Sequence, residues 1–214
     1  MWDYAKIVRR IYANGERVMA GSRKEHLLET ALKLFNQHGF HATGIDRVQA
    51  ESGVSKTTMY KYFRNKDELI RAVLEMRHEQ FGKWFTSRVI KISRESYPDH
   101  PYGKLMSMFD AVSEWIHSDT FFGCNFINAS AEFSDFQHPI HVYAAQHKLE
   151  WSEYIRGCVS GVSEAEADEM AKEILLLLDG AIVSAHTTGL KDSAERAQRM
   201  MLLILQNSTA EVLD

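Results

Sequence analysis

Lys56, Thr57, Thr58, Tyr60 and Lys61 fall within six consecutive positions. That combination suits contact with a polyanion. Lysine supplies charge to phosphates or to guanine edges, and threonine offers a hydroxyl to a base and a methyl to thymine. Tyr60 can hydrogen-bond a phosphate. Thr43, Arg47, Ser55 and Lys66 flank the run. Thr43 and Lys66 stand at the starts of neighbouring helices, where backbone N–H groups and the helix dipole favour phosphate.

The distribution of charge agrees. The 214 residues carry a net charge of −4. Residues 1–78 hold 14 Lys and Arg against 9 Asp and Glu, a net of +5; residues 79–214 hold 11 against 20, a net of −9. A basic first third on an acidic remainder points to a local polyanion contact.

Other chemistry is thinner. Glu75-Met-Arg-His78 and Glu114-Trp-Ile-His117 have the Glu-x-x-His spacing that puts two metal ligands on one helical face, as in di-iron carboxylate bundles. The motif is short, and ten histidines make chance matches easy. No nucleophile elbow, phosphate-binding glycine loop, dinucleotide fingerprint or His-Glu-x-x-His zinc motif occurs. No cofactor, catalytic residue or metal site is expected. Cys124 and Cys158 are too far apart for a zinc pair and read as reduced thiols, with redox or electrophile sensing a second option. Met1–Arg10 is not followed by an apolar signal core, and Ile174–Leu178 is too short to span a membrane. The expectation is a cytoplasmic protein.

The elements that must position these residues are helices. Prolines are scarce, only Pro98, Pro101 and Pro139, and no alternating strand pattern or hairpin turn stands out. Ser22 and Glu25 form a capping box ahead of Leu27, Leu28, Ala31, Leu34 and Phe35, which predicts a helix over 23–38, stopped by Gly39. A short helix follows Thr43, with Ile45 and Val48 inward, and Gly53 ends it. Ser55 is the N-cap of a third helix reaching about Phe63. Val48, Val54, Met59 and Tyr62 are spaced to hold these helices together. Asn65 and Glu68 cap a longer helix running from Asp67 to about Ile92, and Ser93–Pro101 reads as a linker. About five more helices follow by period alone: a Leu105–Ile116 stripe, a short helix at Phe126–Phe133, one from Pro139, a long one over 164–188 and a last from Ser193. The class is all-α, with about nine helices.

Two short helices joined at a glycine turn are the layout of a helix-turn-helix. The run Gly53-Val-Ser-Lys-Thr-Thr-Met-Tyr-Lys-Tyr-Phe-Arg-Asn-Lys-Asp-Glu-Leu69 resembles the hallmark of tetracycline-repressor-type regulators, as does the helix ending His38-Gly-Phe40. The resemblance is dense over residues 22–76. It is looser through Gly123–Asn128, Glu132 and His138–Lys148. Gln49 replaces the usual alanine, and either reaches to solvent or bonds the turn; Thr57 replaces a common glycine.

The resemblance implies a homodimer binding a double-stranded operator, commonly as a repressor, and released by a small-molecule effector. It implies a reader at 22–66 and a sensing and dimerisation part at 67–214. Residues 1–21 are an extension in which Arg9, Arg10 and Arg17 would form a basic arm, or a tail. The last two helices would pair with a partner's: Ile174, Leu178, Ala181, Ile182, Ala185, Met200, Leu203 and Ile204 are the expected interface. Phe109, Trp115, Phe122, Cys124, Phe126, Phe133, Trp151 and His186 are candidates for an aromatic effector pocket, each explained as well by an ordinary core. A helical adaptor of the same fold without DNA binding is a further alternative, disfavoured by the retained lysines and hydroxyls.

Overall fold

Local caps fix several of the boundaries. The computed structural model describes residues 23–210, and the proposed arm and the Ser22 cap lie outside them. Among the described residues there are nine helices and no strand: α1 (Arg23–His38), α2 (Ile45–Ser52), α3 (Lys56–Tyr62), α4 (Lys66–Ser96), α5 (Gly103–Ile116), α6 (Asn125–Glu132), α7 (Pro139–Arg156), α8 (Glu164–Thr188) and α9 (Ser193–Ala210). Gly53 ends α2 with φ at +64°, a left-handed conformation that costs glycine least. Ser163 and Glu166 make a reciprocal capping box at the start of α8.

One boundary differs from expectation. The helix opened by Asn65 continues through Ser93 to Ser96, so the connection spans only 97–102. Ser93–Ser96 carry no breaker. The stop comes from Tyr97, whose helical conformation is disfavoured by the Pro98 ring that follows it.

The described residues form two compact units. The first comprises residues 23–83 and 125–148. Its core includes Leu27, Ala31, Phe35, Phe40, Val48, Met59, Val73 and Ala129. The second comprises 84–124 and 149–210, with α9 lying on α8 and α5 around Leu105, Met108, Ile174, Leu178 and Met201. No described helix is long and apolar enough to cross a membrane.

Candidate nucleic-acid interface

α1 braces both short helices. Val48, Val54, Met59 and Phe63 are buried between them. Tyr62, expected in that seam, is exposed instead; Phe63, four residues beyond Met59, lies on the buried face. Gln49 takes the second of its two options. Its Nε2 donates to the Val54 carbonyl at 3.0 Å and so ties α2 to the turn.

The start of α3 is fixed by Ser55, whose hydroxyl accepts from the Thr58 N–H at 3.2 Å and donates to the Thr58 Oγ1 at 2.9 Å. Ser55 and Thr58 are thus partly committed to each other. Lys56, Thr57, Tyr60 and Lys61 are exposed, Tyr60 by 46 %. These four make a polar and cationic face opposite Met59. Lys56 reaches back to Asp46 at 3.0 Å, a pairing that raises its pKa through the hydrogen bond first and the opposite charge second. Arg47 donates to the His38 Nε2 at 2.9 Å on the same exposed side. Lys66 Nζ donates to the His41 carbonyl at 3.0 Å.

Thr43 is placed differently. It is fully buried, and its hydroxyl donates to the Gly39 carbonyl at 2.8 Å. The side chain closes the α1–α2 loop and turns away from solvent.

The expected pocket residues are divided between the two units. Phe109, Trp115, Phe122, Cys124, Trp151 and His186 lie in the second unit, whereas Phe126 and Phe133 lie in the first. Trp115 meets Phe121 edge-on with centroids 5.1 Å apart, and Phe121 in turn faces His186. Trp151 packs edge-on against Phe85 and Tyr154. Phe109 and Cys124 are buried. Phe126 stacks on His147, and Phe133 sits beside both His41 and His138. Burial pushes the Cys158 thiol up to about 11, so its reactive thiolate is scarce near neutrality.

The expected interface residues also divide. Ile174, Leu178, Ala181, Ile182 and Ala185 are buried within the chain itself. Ile204 is half-buried. Met200 and Leu203 are exposed, and they are joined on α8 and its C-terminal turn by Leu176, Val183 and Leu190, which the sequence did not single out. Leu176 and Val183 are spaced by seven, a spacing that keeps them on one helical side, and Leu190 follows the left-handed Gly189 that ends the helix.

The two Glu-x-x-His pairs are engaged elsewhere. Glu75 pairs with Arg71, and the imidazole nitrogens of His78 and His147 are 2.9 Å apart. Glu114 accepts from Nε and Nη2 of Arg88, and His117 bonds its own helix carbonyl at Ser113. Among the described residues no group of three or more His, Cys, Asp or Glu side chains could hold a metal ion.

A braced, capped short helix presenting lysines and hydroxyls after a glycine turn defines a helix-turn-helix DNA-binding protein. Comparison with known proteins makes this specific. Residues 27–73 match the profile of bacterial regulatory proteins of the tetR family, and residues 101–201 match the tetracyclin repressor-like C-terminal domain. The chain is 23 % identical over 160 residues to the HTH-type transcriptional regulator YjdC of Escherichia coli K12, covering 75 % of this chain and 81 % of that protein. It is 41 % identical over 61 residues to the HTH-type transcriptional activator FasR of Mycolicibacterium smegmatis, 28 % of each chain. The crystal structure of SCO4454, a TetR-family transcriptional regulator from Streptomyces coelicolor, superposes with a TM-score of 0.76 at 27 % identity, covering 86 % of this chain and 95 % of that one. The chain belongs to the tetR family and is a DNA-binding transcriptional regulator.

Proposed function

We propose that the protein acts as a homodimer that binds a pseudo-palindromic operator through two copies of α3. The observation that carries this reading is the exposed face of Lys56, Thr57, Tyr60 and Lys61 on a helix whose other side is locked by Met59. A rigid helix with cations and hydroxyls outward can enter the major groove, with Arg47, Ser55, Thr58 and Lys66 supporting it from the flanks. Residues 22–66 are the reader and 67–214 the sensing and dimerisation part. The exposed apolar residues Leu176, Val183, Leu190, Met200 and Leu203 support pairing with a partner's copy, because covering exposed apolar side chains is favourable.

A small-molecule effector then shifts the dimer between states with matched and mismatched spacing of the two α3 helices. Its leverage is its difference in affinity for the two. Repression relieved by the effector is the reading adopted; FasR, named as an activator, shows that a relative can act in the other direction.

The test is selection of duplexes from a random-sequence pool by the purified protein, then mobility shift across a salt series. Enrichment of an inverted repeat, bound more weakly as salt rises, supports the reading, since phosphate contacts release counterions. Enrichment of a single unrepeated half-site removes the dimeric mode. No enrichment removes the operator proposal.

A further inference from the structure

We infer that Glu132, outside the helix-turn-helix, is a positioning residue for DNA recognition: its carboxylate holds the α1–α2 loop from which the reader helices are hung. The inference rests on the regulator reading above and adds a residue to it.

Glu132 is the last residue of α6 and lies in the same compact unit as α1–α3. One carboxylate oxygen accepts from the Phe40 N–H at 2.8 Å. The other accepts from the His41 N–H at 2.6 Å and lies 3.1 Å from the His41 Nδ1. Two consecutive backbone N–H groups after a left-handed residue make a concave anion seat. Here Gly39, with φ at +84°, supplies that conformation, and the place its Cβ would occupy is 3.0 Å from the Glu132 Oε1. The seat is filled by a carboxylate of this chain, and glycine is what lets it approach.

Neighbouring contacts make this a clamp and not a lone surface bond. At the other end of α6, the Asn125 amide donates to the Asn36 side chain on α1. Phe133, next after Glu132, stacks beside His41 with centroids 4.7 Å apart and faces Phe40 edge-on. The loop so held carries three further ties. Gly39 N–H caps Phe35 of α1, the Gly39 carbonyl takes the Thr43 hydroxyl just before α2, and the His41 carbonyl takes Lys66 at the start of α4. Displacing the carboxylate therefore leaves two loop N–H groups without their acceptor and frees the junction that sets α1, α2 and α4 relative to one another. The phosphate-contacting residues on α3 stay in place on their own helix. What degrades is the fit of the helix to base edges, which tolerates less displacement than charge does.

The experiment uses the full chain and a duplex selected from a random pool by the wild type, with a scrambled duplex as reference. Glu132→Ala is expected to bind the selected duplex about tenfold to a hundredfold more weakly, the range for losing a charged acceptor of backbone N–H groups. Affinity for the scrambled duplex and the salt slope stay near wild type, because Lys56 and Lys61 remain on α3 to meet phosphate. Glu132→Gln, which keeps one acceptor oxygen, recovers part of the discrimination. Hydrogen exchange at the Phe40 and His41 amides accelerates in Glu132→Ala while the rest of α1 stays protected. Unchanged discrimination in both variants overturns the inference while leaving the regulator reading intact. So does an equal loss on both duplexes, which marks a merely structural role. Should Glu132→Ala fail to fold, Glu132→Gln carries the same test, and wild-type discrimination there overturns the inference. If the wild type enriches no duplex, both readings fall.

Discussion

Leu176 is 73 % exposed on α8, whereas Leu178, two positions on, is 5 % exposed. The two should respond to the same substitution in different experiments. Covering a leucine side chain fully is worth roughly 2 kcal/mol. Scaled by the exposed fraction, docking a partner on Leu176 gains about 1.5 kcal/mol. A two-fold interface uses the residue twice, so Leu176→Ala is expected to weaken dimerisation by about 3 kcal/mol, or roughly a hundredfold in Kd. Its effect on folding within the chain should be slight. Leu178→Ala removes packing inside the chain and should cost about 2–5 kcal/mol of unfolding free energy. Sedimentation velocity over a concentration series, together with denaturant unfolding, separates the two. A dimer Kd for Leu176→Ala within threefold of wild type would refute the proposed interface.

Three further outcomes are expected. Lys61→Ala should lower the magnitude of the salt slope of operator binding by about 1.8, one phosphate contact on each of the two α3 helices, without changing the preferred sequence; an unaltered slope removes Lys61 from the phosphate set. Met59, 1 % exposed, locks α3 to its supports, so Met59→Ala should lower stability by about 2–5 kcal/mol in denaturant titration. A cost below 0.5 kcal/mol would show that the seam does not brace α3. His147 is held well below its ordinary value of 6.5 by burial first, then by Lys148, His78 and Arg77. The folded state therefore binds fewer protons than the unfolded one, so this group leaves stability intact above about pH 6.5 and erodes it as pH falls below. His147→Gln should flatten the difference in denaturation midpoint between pH 7.5 and 5.5, and an identical pH dependence would discount the buried imidazole.

The helix-turn-helix was legible because its signals are local. Gly53 needs a left-handed turn, Ser55 caps the residues just after it, and Met59 and the lysines take opposite sides of one short helix. Each depends on neighbours within four residues, which the sequence displays directly. The all-α class was legible for the same reason, from periodicity and scarce proline. Sequence also showed that α8 is apolar on more than one side. It could not rank those sides, since an inward and a partner-facing stripe have the same composition. Only packing against α5 and α9 assigned Ile174 and Leu178 to the interior and left Leu176 and Val183 outside.

Thr43 and Glu132 mark the same limit. A threonine before a helix is as fit for a phosphate as for its own chain, and the closure of the α1–α2 loop turned it inward. Glu132 is 91 residues from His41 in sequence, and no spacing rule joins a carboxylate to backbone N–H groups at that separation. The sequence by itself determined the reader: its helices, its turn and its exposed chemistry, all set by short-range preferences. The tertiary structure decided what holds the reader and which apolar face is free, because long-range contacts depend on which helices meet, and that is settled only when the whole chain packs.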